Sequence, residues 1–153
     1  MSCDLPKEFW DWAVGRYESA ELREELLELQ ESTGLIILEA MFLAWLGLRG
    51  QAITQLDYLR IHEEITPWVE GVVIPLRQQR HQWTDDPSMV TNRGYLLGLE
   101  LEAERLLANL LIASSDIAPV DQSIDPKIDK NLAFLPQLQD AVIRARVSDM
   151  LGQ

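Results

Sequence analysis

The stretch GLIILEAMFLAWLGLRG, residues 34–50, is the most apolar segment of the chain. Its apolar run, residues 35–48, would form a helix only about 21 Å long, whereas the hydrocarbon core of a membrane is about 30 Å thick. A helix that is apolar on nearly all sides is surrounded by other helices in a soluble protein. The sequence therefore predicts a central core helix over about residues 35–49.

The side chains of this helix form two stripes of different size. The bulky stripe can fill core volume, whereas the small stripe lies nearly opposite and would let a neighbouring helix approach closely. The bulky stripe comprises Leu35, Leu38, Phe42, Trp45 and Leu46, and the small stripe comprises Ala40, Ala44 and Gly47.

Glu39 is the one acid within this apolar run. Its neighbours three and four residues away carry no positive charge, so a buried Glu39 needs a partner from another helix or must stay protonated. A structurally paired glutamate and a functional carboxylate both fit this pattern. The candidate partners are Arg16, Arg77, Arg105 and His62.

The rest of the chain repeats the helical period and shows no persistent alternation typical of strands. A first helix is predicted over 6–17 and a second over 20–32, with Ser19 as its N-cap and Gly34 in a left-handed conformation at its end. In the second helix the predicted buried residues are Leu22, Leu26 and Leu29.

Three further helices are expected before residue 114. One begins after the cap residue Thr54, and the next, over 67–83, has Thr66 as cap, Pro67 in its first turn and a kink at Pro75. The third spans 93–113. The predicted buried residues are Leu56, Leu59 and Ile65 in the first of these helices, and Leu96, Leu99, Ala103, Leu106 and Leu110 in the last.

These elements predict an all-α fold, a single-domain bundle of about six to eight helices around the central helix. Residues 1–113 would form the helical core, 114–126 a linker, and 127–153 a C-terminal helical tail that packs on the core. Within this tail, Pro136 separates one or two weaker amphipathic helices.

Composition limits the function classes. The chain has 153 residues and a net charge of -12, which argues against nucleic acid as a partner because such binding depends on clustered Lys and Arg. The single cysteine, Cys3, cannot form an internal disulfide, and the first residues lack a secretory signal. We expect a cytoplasmic protein without a transmembrane segment.

No pattern of catalytic or metal-binding residues is recognisable. The two histidines, His62 and His81, lie in no nucleophile motif, and phosphate-binding glycine loops and zinc-ligand spacings are absent. Asp121, Asp125 and Asp129 recur every four residues, but Pro126 interrupts them, which favours solvated turn and cap residues. No catalytic residue, cofactor or metal ligand is predicted.

The segment RQQRHQW, residues 77–83, concentrates positive charge in an acidic chain. Arginine with tryptophan is typical of protein interfaces, so Trp68, Arg80, His81 and Trp83 are candidate interface residues, next to Arg77. Internal pairing of these arginines with the glutamate-rich second helix is the alternative.

Three blocks of the sequence resemble an uncharacterised family of all-helical proteobacterial proteins of similar length. The blocks are FWDWAVGRYESAELREELLELQESTGLIILEAMFLAWLG, PWVEGVVIPLRQQR and LLGLELEAERL, and the resemblance covers about residues 9–110. It implies a bacterial cytoplasmic protein and transfers no catalytic residue. It directs attention to the polar residues Arg77, Glu102 and Arg105 within the shared blocks.

We therefore expect a non-enzymatic protein-binding or adaptor module, whose partner is a protein and which could also form a homo-oligomer. One alternative is a binder of a lipid or prenyl chain in the bundle core, with Glu39 or Arg105 at the polar end. A second alternative is an enzyme with a carboxylate and arginine site drawn from Glu39, Glu102 and Arg105.

Overall fold

The fold was obtained as a computed structural model, which describes residues 4–121, 123 and 125–153; Cys3 lies outside this part of the chain. Every regular element in the described part is helical, which confirms the all-α prediction. A π-helical segment, Val69–Val73, and two short 3₁₀ turns, Pro87–Met89 and Pro136–Leu138, accompany the α-helices. The α-helices are α1 (Leu5–Tyr17), α2 (Ala20–Thr33), α3 (Ile37–Leu48), α4 (Gln55–Trp68), α5 (Ile74–Gln82), α6 (Val90–Ala113), α7 (Ile128–Leu132) and α8 (Ala141–Leu151).

Local capping signals set several helix ends as predicted. The Ser19 hydroxyl accepts a hydrogen bond from the Leu22 amide at 3.4 Å, and Gly34 ends α2 with a φ of 75°. Thr54 and Asp57 form a capping box at the start of α4, in which each side chain accepts from the other residue's amide. These ends need no tertiary contact.

Helix α3 occupies the centre of the bundle. All of its residues from Glu39 to Gly47 are buried. Helix α7 crosses its small stripe, where the Lys127 amide donates to the Gly47 carbonyl at 2.8 Å. A Cβ atom on Gly47 would lie only 2.7 Å from the Ile128 nitrogen, so the close approach of α7 requires glycine there.

Buried Asn131 of α7 joins this helix to the loop after α3. Its amide nitrogen donates to the Leu43 carbonyl at 3.1 Å and to the Gln51 carbonyl at 2.9 Å, while its oxygen accepts from the Ile53 amide at 3.1 Å. The side chain thereby ties the loop after α3 to both α3 and α7, and it satisfies the buried Ile53 amide.

The C-terminal part of the chain belongs to the same buried cluster as the N-terminal helices. As predicted, a proline turn separates its two helices, α7 and α8. The preceding segment is attached to the loop after α3, where Gln51 bonds to the backbone of Asp116 and Ala118. The residues contributed to the cluster are Ile128, Leu132, Leu135, Leu138, Val147 and Leu151.

The predicted start of a separate helix at Pro67 is wrong. Helix α4 continues through Pro67 into the π-helical segment, and Thr66 donates its hydroxyl proton to the His62 carbonyl instead of capping. The buried residues Ile61, Ile65 and Val69 continue one face across the proline, so core packing holds the helix together there. At Pro75, where a kink was predicted, α5 begins directly after the π-helical segment. Pro75 lies in the first turn of α5, where its missing N–H is accommodated.

Two predicted buried stripes are partly wrong. Leu56 and Leu59 of α4 are 65% and 51% exposed, because its inward face consists of Tyr58, Ile61 and Ile65. In α6 the predicted Leu99 and Leu106 are also exposed. The buried residues of α6 instead include Glu100, Ala103, Leu107 and Leu111, and Glu100 pairs with Arg77 and Arg80 of α5.

Candidate ligand-binding groove

An open groove of about 650 Å³ lies between α1, α2, α3 and α6, and α5 borders one end. We call it the apolar groove, because most of the side chains that line it are apolar. Those residues are Trp10, Ala13, Val14, Leu27, Ile37, Leu38, Met41, Leu97 and Leu101.

The α6 wall of the groove is built from residues spaced at one helical turn. Leu97 and Leu101 are 57% and 56% exposed although they are large apolar residues. Gly94 and Gly98 lie on the same face, and a Cβ atom on either would meet no other atom within 4 Å. The wall therefore has open space beside exposed apolar surface.

The polar end of the groove contains a bidentate ion pair between Arg80 and Glu100. Arg80 of α5 binds both carboxylate oxygens of Glu100, at 2.5 Å and 3.2 Å, and Glu100 is buried. The hydrogen bond to Glu100 is the main cause that raises the pKa of Arg80. This bidentate pair satisfies a carboxylate that would otherwise be costly to bury.

Beside this pair, Arg77 and Glu104 face each other without a hydrogen bond. Arg77 Nη2 lies 3.7 Å from Glu104 Oε1, and Arg77 Nε lies 3.7 Å from Glu100 Oε1. Burial raises the pKa of Glu104, and the positive charge of Arg77 partly offsets this rise. Tyr17 is close to this pair, and its pKa is raised first by burial and then by the Glu104 charge.

Glu39 lies elsewhere, in the core, and its partner is His62. The Glu39 carboxylate is 2% exposed, and its Oε2 lies 2.8 Å from His62 Nδ1. Burial raises the pKa of Glu39, while the hydrogen bond and charge of His62 lower it. Of the four candidate partners from the sequence, the structure brings only His62 into contact with Glu39.

The other polar candidates do not join Glu39. Glu102 is exposed on α6, and its side chain does not line the apolar groove. Arg105 is also exposed, with its guanidinium 5.9 Å from the ring centre of Trp10. The structure thus disperses Glu39, Glu102 and Arg105, and brings Arg77 together with two glutamates that the sequence analysis did not single out.

The candidate interface residues lie in different surroundings. Trp68 donates its indole N–H to the Ala103 carbonyl at 2.8 Å, and Arg80 is committed to Glu100. His81 is exposed, and partly buried Trp83 ends α5. The predicted internal pairing of the arginines therefore occurs with α6, whereas the second helix was expected to supply the acids.

Sequence reasoning missed Tyr17, Glu100 and Glu104. A usable signal was present, because Arg77 and Arg80 are three residues apart and Glu100 and Glu104 are four apart. Each spacing places its pair on one helix face, which would have indicated two facing helices.

The family profile described as "Protein of unknown function (DUF2390)" matches residues 8–111, about two thirds of the chain. The chain belongs to this family. The match confirms the resemblance to an uncharacterised family over nearly the same residues, and it includes every residue of the apolar groove. No curated protein and no solved structure matches the chain significantly.

Two further features are absent from the described ranges, 4–121, 123 and 125–153. No helix in them is long and apolar enough to cross a membrane. The same residues contain no group of three or more His, Cys, Asp or Glu side chains that could hold a metal ion. Asp129, from the predicted acidic repeat, pairs with Arg144 at 3.2 Å.

Proposed function

We propose that this member of the family is a binding protein that takes a single-chain apolar ligand in the apolar groove. The observation that carries the proposal is the open groove of about 650 Å³ with apolar walls and one polar end. Ligand sites in proteins are commonly concave and mostly apolar, occupy about 300–1,000 Å³, and contain a few placed polar groups. This is the lipid-chain alternative from the sequence, moved from the bundle core to a surface groove.

Exposed apolar surface supports this proposal. Leu97 and Leu101 leave more than half of their surface in water, and Val14 is 43% exposed across the groove. Covering apolar surface is worth about 25 cal/mol per Å², so burial of an apolar chain between these walls would stabilise the complex.

The protein-binding hypothesis from the sequence rested on the missing catalytic motifs and on the helix rich in arginine and tryptophan that contains Arg77 and Arg80. Arg80 is fully paired with Glu100, and Arg77 has two carboxylates nearby, so neither offers an unbalanced charge to an acidic partner. Binding of a protein partner in the apolar groove is therefore one of the outcomes that the experiment below distinguishes. The cytoplasmic location stays a prediction from the sequence.

The proposal can be tested by filling the groove. Gly98→Phe places an aromatic ring in open space of the groove, and Gly15→Phe is a matched control, because Gly15 is exposed on α1 and also has no atom within 4 Å of a Cβ position. The probe is the neutral apolar dye nile red, whose fluorescence rises in an apolar site.

We expect saturable dye binding by the wild type and by Gly15→Phe, and loss of that binding in Gly98→Phe with no fall in the thermal unfolding midpoint. Dye binding that survives Gly98→Phe would overturn the proposal. Absence of dye binding combined with capture of a protein by the wild type, but not by Gly98→Phe, would replace the ligand by a partner protein. Dimerisation that only Gly98→Phe disrupts would indicate a second copy of the chain in the groove.

A further inference from the structure

We propose that the polar end of the apolar groove selects an uncharged head group that both accepts and donates a hydrogen bond, such as a primary amide. In this arrangement Arg77 donates to the head group and Glu104 accepts from it. The inference rests on the groove-binding function proposed above and names the chemical class of the ligand.

Arg77 and Glu104 retain hydrogen-bonding capacity. Arg77 has no contact with a described carboxylate shorter than 3.7 Å, and Glu104 makes no hydrogen bond within the described residues. Both are in the groove lining, and Arg77 is only 20% exposed. An arginine has five N–H donors and a carboxylate has two acceptor oxygens, so both are able to bind a ligand.

The charges around Arg77 and Glu104 are already balanced. Besides Arg77 and Glu104, the groove contains the Arg80 and Glu100 pair. At its rim, Arg23 bonds to the Tyr17 carbonyl at 3.2 Å, and Glu18 supplies a third acid. The groove lining thus has three arginines and three glutamates, although the whole chain has a net charge of -12.

Head groups differ in how they would meet Arg77 and Glu104. A carboxylate would satisfy Arg77 but bring another negative charge beside Glu100 and Glu104. An ammonium group would satisfy Glu104 but face Arg77 and Arg80. A primary amide satisfies both, because its oxygen accepts from Arg77 while its N–H donates to Glu104 and the charge balance is unchanged. An ester accepts only, so it would cover Glu104 without donating a hydrogen bond to the carboxylate.

The test compares three ligands with the same chain on the wild-type protein. Decanamide, decanoate and methyl decanoate each displace nile red at pH 8. We expect decanamide to bind about tenfold more tightly than either of the others, the difference expected for one hydrogen bond to a charged group. Similar affinities for all three would overturn the inference but leave groove binding intact. If none displaced a groove-bound dye, the groove-binding function itself would fail.

Two variants test the named residues. Glu104→Leu removes the acceptor, and Glu102→Leu is the matched control, two residues away on α6 and exposed outside the groove. Arg77→Met removes the donors and keeps an apolar stem. Decanamide affinity should fall about tenfold in Glu104→Leu and Arg77→Met, toward that of methyl decanoate, and stay unchanged in Glu102→Leu.

An unchanged preference for the amide in either groove variant would contradict the assigned roles. Far-ultraviolet circular dichroism and the unfolding midpoint establish that each variant is folded. Should Glu104→Leu fail to fold, the ligand comparison on the wild type still decides the proposal.

Discussion

Glu39 Oε2 and His62 Nδ1 lie 2.8 Å apart and join the central helix α3 to α4. The glutamate is almost completely buried, whereas the histidine side chain is 41% exposed. In this contact the His62 ring reaches solvent, whereas the Glu39 carboxylate stays inside the core. It satisfies the only acid in the apolar stretch that organises the fold.

Glu39 makes stability depend on pH in a defined direction. Because its pKa in the folded protein is raised above the ordinary value of 4.5, its contribution to stability is complete below that value. The contribution is lost as pH rises through the folded pKa. Glu39→Gln retains hydrogen-bonding capacity but does not titrate. Its free energy of unfolding relative to that of the wild type should therefore increase as the pH is raised from 5 to 8.

Urea unfolding at both pH values measures this difference. Glu63→Gln is the control, because Glu63 is exposed on α4. A difference between Glu39→Gln and the wild type that stays constant with pH would show that Glu39 is not the responsible group.

Gly47→Ala should destabilise the protein by about 1–3 kcal/mol, the usual cost of overpacking. The added methyl group would lie 2.7–2.8 Å from backbone atoms of Lys127 and Ile128, so α7 would have to move. Gly15→Ala is the matched helical control, and there we expect no loss and a gain of up to about 1 kcal/mol. Equal midpoints for the two variants in chemical denaturation would contradict this account of α7 packing.

Asn131→Ala should cost about 1–3 kcal/mol, since it leaves the buried Ile53 amide without its partner and removes the bonds to the Leu43 and Gln51 carbonyls. Asn109→Ala, at an exposed position of α6, serves for comparison and should change the free energy of unfolding by less than about 0.5 kcal/mol. Thermal or urea unfolding gives both values. A small effect at Asn131 would mean that the loop after α3 is held by other contacts.

Much of the fold could be predicted because its signals are local. The caps at Ser19, Gly34 and Thr54 act within four residues, and the apolar run of α3 is too continuous to lie on a surface. The boundary at Pro67 could not be predicted from local rules, because burial of Ile65 and Val69 on one face outweighs the missing proline N–H. The α6 stripe failed for a related reason, since a glutamate occupies the inward face where the pattern called for leucine.

The candidate site was predicted in part. Arg77 and Arg80 were singled out from their charge, but the matching four-residue spacing of Glu100 and Glu104 was not recognised beside the exposed Glu102. The groove left no sequence signature, because Leu97 and Leu101 read as ordinary members of an amphipathic helix.

The sequence by itself determined the helical class, most helix ends and the central position of α3, since these depend on hydrogen bonds and periodicities within a few residues. Only the tertiary structure decided which side chain meets Glu39, because His62 is 23 residues away and competed with three arginines. It also decided which face of α6 is buried and where the apolar groove opens. Those outcomes depend on how five helices pack against one another. The burial and the charge pairing that decide this packing involve residues of several helices, so the sequence of one helix does not reveal them.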